Sequence, residues 1–508
     1  MNPNPLGTVV CTENGPSTEN VVFVIGKQDD PTIRDGIPVH VGQYVSTETE
    51  EGLVIAHIEQ VYKTNRYFAQ IDAVHEFTRS GKAFGAIFPI DRWEYVVAEA
   101  KPLGIYNKGE VQRVTFPPSP GAIVATPDPK ILSKFLGFTP GGVLLGQLMF
   151  HGIPATFDLT KMFQKHVALL AMSGAGKSYT ATVMLEELLS RKPSQGRPAI
   201  LVIDVHGEYT SLAEPIEEHG SNFENQISMI KSPLIEIATP QMSAKAFATY
   251  SPEMGTIQVR ELTRIIHTMR SARKGQPYDI SDLITALEKD PSINTRTREA
   301  LLGWLDNLQN LRLFGKTPTP IWEKMMKPGH AVILDMSDTV NLQKKQIIVD
   351  AVLRRLFDLR RDSVIPPTIV FLEESHQFCP EARRALAFSK GILETVAREG
   401  RKYNLSLCVI SQRPVRLSTT VLSQCGTNVF LRITNPYDLD HIRATSEKIT
   451  KATLTSISSL SVGEALVVGQ ATRFPVFLKV RKRLTKETAF GTDFETMAKD
   501  FEGKRRAA

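Results

Sequence analysis

Cysteine is scarce. Only Cys11, Cys379, Cys408 and Cys425 occur in 508 residues, and no two stand at the CxxC or CxxxxC spacing of a metal or redox motif. Neither a zinc site nor a disulfide framework is expected, and thiols this few fit a reducing compartment. Long apolar runs are also missing: none reaches the roughly 18–20 residues that a membrane-spanning helix needs. Met1–Gly7 lacks a basic segment leading into an apolar one, so no secretory signal is expected. Taken together, these absences predict a cytoplasmic protein with no membrane partner. The sequence contains no internal repeat and no low-complexity tract.

What is there is ordinary in bulk. Hydrophobic residues make up 42% and charged residues 22%, which excludes a disordered, collagen-like or coiled-coil chain. The length corresponds to two to four domains at roughly 100–200 residues each. A chain of this size buries several cores without covalent staples. Sixty Lys and Arg against fifty-four Asp and Glu leave +6, a mild excess that permits a polyanionic partner without requiring one.

The pattern changes along the chain. In residues 1–125, short β-rich runs (Val21–Ile25, Leu53–Ala56, Trp93–Val97) are separated by Gly, Pro, Asn and Asp. Such runs predict a small β-barrel or sandwich serving assembly or partner binding. Tyr62–Thr78 is more polar and reads as an insertion. Pro117–Gly121 and Pro127-Asp128-Pro129 are turn-rich punctuation. Beyond Phe163, apolar runs at Val167–Ala171, Ala199–Ile203, Ala331–Leu334, Thr368–Leu372 and Ser406–Ile410 alternate with helical stretches. That alternation predicts an α/β fold with a parallel sheet covered on both faces. Helical spacing in Ile257–Arg270, Ile280–Glu288 and Thr297–Leu311 predicts an inserted bundle over 239–328. The sheet-forming core is then split into 126–238 and 329–485. Asn428–Ile433, Glu464–Val468 and Phe474–Val480 read as further strands, and 486–508 as a polar tail.

The strongest chemical signal is Val167–Ser178. An apolar strand runs into Met-Ser-Gly-Ala-Gly-Lys-Ser, and a helical stretch, Tyr179–Arg191, follows. This is the context of a phosphate-binding P-loop. Glycine lets the backbone curl so that N–H groups point at phosphate oxygens, and the helix start adds positive potential. Ser173, Gly174, Ala175, Gly176, Lys177, Ser178 and Tyr179 are the expected nucleotide-binding residues. Lys177 is expected on the β/γ-phosphates and the Ser178 hydroxyl on Mg²⁺. Ala171 stands where such loops usually begin with Gly.

A second signal is the run Pro367–Glu374, an apolar strand ending in two carboxylates. Beside a P-loop, Glu373 is expected to order the Mg²⁺ shell through water, and Glu374 to act as the base on the attacking water. Asp204 and Glu208, in Asp-Val-His-Gly-Glu-Tyr, are candidates to support metal or water. His206 reads as a structural hydrogen-bonding residue and Asp335 as a cap. Gln412, in Ser-Gln-Arg-Pro, is placed to sense the γ-phosphate or the water. Arg398 and Arg401 are the leading candidates for an arginine finger from a neighbouring subunit, with Arg432 and Arg443 behind them. Arg383, Arg384 and Lys390 are candidates for contact with DNA phosphates.

Taken in order, Gly-Ala-Gly-Lys-Ser, Asp-Val-His-Gly-Glu-Tyr, Leu-Glu-Glu-Ser-His-Gln-Phe, Arg-Glu-Gly-Arg-Lys-Tyr and Ser-Gln-Arg-Pro resemble the HerA helicases and translocases, in the HerA/FtsK branch of RecA-like ATPases. The β-rich start resembles that family's barrel. The resemblance implies a RecA-like P-loop core using ATP and Mg²⁺, assembled as a homo-hexameric ring with shared sites and double-stranded DNA in its pore. It also implies a NurA-type nuclease as partner in DNA end resection and double-strand break repair. Two other readings keep the nucleotide site: a nucleotide-regulated hexameric scaffold for an effector nuclease, and a pump of the conjugation or secretion type.

Overall fold

The computed structural model describes residues 5–11, 15–26, 39–65, 79, 94–213, 223–273, 275–381, 387–445, 449, 451–485, 495–499 and 501. The chain divides into two units. Met1–Asp158, Thr450–Ser456 and Glu464–Arg481 form the first; Leu159–Ile449, Ile457–Gly463 and Lys482–Ala508 form the second.

The first unit holds a closed barrel. Its strands are β1 (Pro5–Val9), β2 (Val21–Ile25), β3 (Tyr44–Thr49), β4 (Gly52–Asn65), β5 (Glu94–Asn107), β6 (Glu110–Gln112) and β7 (Ile123–Ala125). They run in the order β2-β1-β7-β3-β4-β5-β6, and β2 also pairs with β5. That pairing, from Val21 opposite Ala100 to Ile25 opposite Val96, closes six strands on themselves and removes their edges. Bulges in β4 between Ile55 and Ala56 and between Ile58 and Gln60 bend the two longest strands around the closure. Leu6, Phe23, Val45, Ile58, Ala98 and Val124 fill the interior. The expected polar insertion is corrected at its start, because Tyr62–Asn65 continues β4; residues 66–78 lie outside the described residues, as does Trp93. The same unit holds an antiparallel sheet in which Pro154–Phe157, Val143–Leu148, Val476–Val480 and Glu464–Gly469 lie side by side in that order. Its first two strands were not anticipated, since Gly142, Gly146 and Gly152 break the apolar pattern that marks a strand.

The second unit is built on a parallel sheet, buried along nearly its whole width. Its strands are β8 (Val167–Leu170), β9 (Ala199–Asp204), β10 (Ile227–Lys231), β11 (Ala331–Asp335), β12 (Thr368–Leu372), β13 (Leu405–Ser411) and β14 (Thr427–Phe430). The order is β10-β11-β9-β12-β13-β8-β14, all parallel. Every residue of β8, β9 and β11–β14 is buried, which is why each reads as a continuous apolar run. The edge strand β10, Ile-Ser-Met-Ile-Lys, is only partly buried and escaped that criterion. Helix α1 (Lys177–Leu189) follows β8. Helices α2 (Ala244–Tyr250), α3 (Thr256–Arg273), α4 (Ile280–Lys289) and α5 (Thr295–Asn310) lie between β10 and β11. Helix α6 (Leu342–Arg361) follows β11. The carboxyl ends of β8, β9, β12 and β13 meet at one edge, where parallel α/β sheets place their sites.

Two barrel-unit histidines make that unit sensitive to acid. Burial lowers the pKa of His57 and of His151 to about 4. His151 Nε2 accepts the Tyr44 N–H at 3.1 Å, a bond that protonation destroys. In the unfolded chain both rings take a proton near pH 6.5. Their contribution to stability is therefore complete above that value and is lost as pH falls toward 4. Hydrogen exchange should show barrel amides losing protection between pH 6.5 and 4.5. Equal protection across that interval would contradict the assignment.

Candidate nucleotide site

The site begins where β8 ends. Gly174 and Gly176 have φ of +74° and +95°, and an added Cβ at either would meet nothing within 4 Å. Backbone conformation, not space, demands glycine there. Ser173 and Gly174 are exposed, Ala175 is buried, and Lys177 opens α1. Ala171, at the position usually held by Gly, is fully buried, and its N–H donates to Ser411 O at 3.2 Å. At this point the chain is still pairing like a strand, so a small residue with ordinary φ suffices.

Lys177 Nζ is paired with Glu374 Oε1; the lysine side chain is 12% exposed and the glutamate side chain 2%. Glu374 stands just past β12 with φ +47°. A non-glycine residue in this left-handed region costs on the order of 1–3 kcal/mol and is held there by its surroundings. Its other oxygen, Oε2, accepts from Gln412 Nε2 at 3.3 Å and lies 3.3 Å from His376 Nδ1. Burial lowers the His376 pKa, so the ring is neutral at pH 7. Ser411 Oγ lies 3.2 Å from its Nδ1. Three side chains from three elements thus converge on Glu374.

Glu373 occupies a different environment. It is 1% exposed. Its Oε2 accepts the Val205 N–H at 3.2 Å, and its Oε1 is buried without a hydrogen-bond partner among the described residues. Burial, and then the charges of Glu208 and Asp204, push its pKa up to about 9. Ser178 Oγ donates to Glu208 Oε2, so the Asp-Val-His-Gly-Glu-Tyr loop does reach the P-loop.

Asp204 differs from the expectation that it supports metal. Its Oδ1 accepts from the N–H groups of His206 (3.2 Å), Gly207 (2.7 Å) and Glu208 (3.1 Å), and its Oδ2 from Tyr209 (3.0 Å). The carboxylate is spent on folding the loop that carries Glu208. Burial raises its pKa while these four donors lower it. His206 contributes only its backbone to this clasp, and its side chain is exposed. Asp335 accepts from Ser337 N at 2.9 Å and caps the turn after β11.

Lys345 and His376 were not anticipated. Lys345, on α6, is 8% exposed, and its Nζ donates to Val205 O at 3.2 Å. Burial lowers its pKa, opposed by Asp204, Asp335 and Glu373. It is the cation that offsets the acidic cluster. In sequence it is one Lys on an amphipathic helix, with no local signal. His376 had one signal, its place two residues beyond Glu374.

The arginines separate. Arg398, near the end of α7 (Lys390–Glu399), and Arg401 are exposed. Both precede β13 and lie at the amino edge of the sheet, away from Lys177. Seven residues of β13 at about 3.3 Å each separate them from the site of their own chain. Arg443 is exposed on the helix Pro436–Thr445. Arg432 lies instead against the P-loop, its carbonyl accepting Met172 N–H at 2.9 Å. Lys390 Nζ donates to Pro380 O at 2.7 Å, and Arg383 and Arg384 lie outside the described residues. Tyr179, next to Ser178, accepts the Arg483 N–H at 2.9 Å on its hydroxyl.

Asp204→Ala strips four N–H groups, two of them in buried bonds, of their acceptor and should cost about 2–4 kcal/mol. In thermal unfolding that appears as a drop of roughly 3–6 °C. A midpoint unchanged within a degree would show that the clasp does not hold the loop.

Residues 143–356 match the family model described as "Helicase HerA, central domain". A probable helicase of Methanocaldococcus jannaschii is 25% identical over 92% of this chain and 91% of its own length. The DNA double-strand break repair helicase HerA of Pyrococcus furiosus is 25% identical over 88% of this chain and 89% of its own. Among solved structures, VirB4 of Thermoanaerobacter pseudethanolicus superposes with a TM-score of 0.52 at 18% identity, covering 71% of this chain and 99% of that one; this likeness concerns the fold. Residues 143–356 are thus similar to the central domain of HerA helicases, and the likeness to one such helicase extends over 88% of the chain.

Proposed function

We propose that this protein hydrolyses ATP and uses the energy to move along double-stranded DNA as a ring. The observation that carries the reading is the convergence of Lys177, Gln412 and His376 on one strained, buried carboxylate, Glu374, beside a glycine-shaped phosphate loop.

In the mechanism, the curled backbone of 173–178 binds the phosphates. Lys177 leaves Glu374 for the β/γ-phosphates, a charge-assisted contact stronger than a neutral one. Glu374, relieved of its partner, accepts the proton of the attacking water, while Gln412 orients that water and His376 fixes the carboxylate. Arg401 or Arg398, presented on the surface of a neighbouring subunit, compensates transition-state charge. The residues fit a magnesium ion. Ser178 and Glu208 lie together, and Glu373 adds an orphaned buried oxygen. Among the described residues no group of three or more His, Cys, Asp or Glu forms a complete cage. Mg²⁺ characteristically takes one or two carboxylates together with phosphate and water oxygens. When bound, it neutralises charge on the β- and γ-oxygens.

The cargo and assembly are inferred from the relatives. Those named double-strand break repair helicases support duplex DNA as the track and DNA end resection as the setting. A six-membered ring and a NurA-type nuclease partner complete the proposal. Among the described residues no helix is long and apolar enough to cross a membrane.

Steady-state hydrolysis tests the reading. Lys177→Ala should abolish turnover, and Glu374→Gln should lower it at least about 10²-fold. Turnover at the wild-type rate in either would remove the assignment. Linear duplex DNA should stimulate the wild type several-fold, with a steep loss of DNA binding on adding salt. Hydrolysis indifferent to DNA would favour a nucleotide-regulated scaffold over a motor.

A further inference from the structure

Arg360, which is buried, and Arg483, which is half-buried, have protein partners. Arg360 Nε donates to Tyr403 O at 2.7 Å, and Arg483 Nη2 to Ser211 Oγ at 3.0 Å. No side-chain hydrogen bond of Arg432 is found among the described residues. Its residue is half-buried, and its Nε is fully buried without a hydrogen-bond partner among the described residues. A buried N–H without an acceptor is costly.

Its position is tightly set. The β8–β14 ladder pairs Leu170 with Phe430. It continues past the strand ends, Leu431 N–H donating to Leu170 O at 3.0 Å and Met172 N–H to Arg432 O at 2.9 Å. Arg432 is therefore held about one strand spacing, roughly 5 Å, from Met172. Met172 immediately precedes Ser173 and Gly174 of the phosphate loop. The buried neighbours Leu431 and Ile433 leave this segment little freedom to move away. The anion for which that loop is shaped is a nucleoside triphosphate, and its phosphates are the acceptor that Arg432 lacks.

We propose that Arg432 is a second phosphate-binding cation, acting in cis on the nucleotide held by Lys177 of the same chain, and not a finger offered to a neighbour. This rests on the ATPase reading and adds to it a catalytic residue that Lys177 and an arginine supplied in trans do not replace. An arginine is suited to it because its fork of donors spans two phosphate oxygens while its charge stays fixed at every working pH.

Three variants and two mixtures test this. Arg432→Ala should lower kcat about 10²-fold, the usual loss on removing one preorganised donor to transition-state charge. Arg432→Gln, which keeps length and polarity, should show a similar loss and guards against a folding defect in the alanine variant. Arg432→Lys should recover part of the rate. Mixing Arg432→Ala with Lys177→Ala protein should give no rescue at any ratio, because every site then draws on a damaged loop or its damaged companion. The parallel mixture of Arg401→Ala with Lys177→Ala should regain activity if Arg401 acts in trans. Wild-type turnover in both Arg432→Ala and Arg432→Gln, or rescue in the Arg432 mixture, would overturn the proposal. A wild type that neither binds nor hydrolyses ATP would instead remove the ATPase reading beneath it.

Discussion

The ion pair between Lys177 and Glu374 is the contact around which the second unit is organised. Both side chains are nearly dry, and removing either partner strands a charge where water cannot reach it. They come from strands that are not neighbours, since β13 lies between β8 and β12. Meeting across it requires that α1 begin at Lys177 and that the backbone at Glu374 turn left-handed. The two glycines, the buried Ala171 and the strained φ are local consequences of this one requirement. The same pair explains how a site with its base already in place can stay quiet. In the proposed mechanism the lysine that grips phosphate is occupied by the carboxylate that receives a proton, and a triphosphate frees both at once.

Carboxylates of one chemical type hold different roles here because their surroundings differ. Asp204 has four backbone donors and serves as a clasp. Glu373 has one backbone donor and two acidic neighbours, and burial together with their charges pushes its pKa up. Glu374 faces a lysine, an amide and an imidazole and is the one equipped to act on water. Lys345 adds a buried cation beside the group, in addition to Lys177.

Much of this was legible in the residue order. Strands buried on both faces announce themselves as unbroken apolar runs, so β8, β9, β11, β12 and β13 were located within a residue or two. Gly-Lys-Ser after such a run and Glu-Glu at the end of another pointed to residues that the structure brings together. The rest depended on contacts that no local pattern encodes. The edge strand β10 is partly polar and carries no run. Lys345 and Arg432 become significant only through the parallel register, which sets Val205 against α6 and residue 172 beside residue 432. Asp204 and Glu208 looked equivalent in sequence, and only the path of the loop showed that one folds it while the other reaches Ser178.

The most direct test of the central claim is calorimetric affinity for a non-hydrolysable ATP analogue with Mg²⁺, comparing wild type with Glu374→Gln. If Lys177 must surrender Glu374 to hold triphosphate, neutralising the glutamate releases the lysine beforehand, and the variant binds more tightly than the wild type. Equal or weaker binding by Glu374→Gln would mean that the pair does not compete with the nucleotide, and the account of the site built upon it would be wrong.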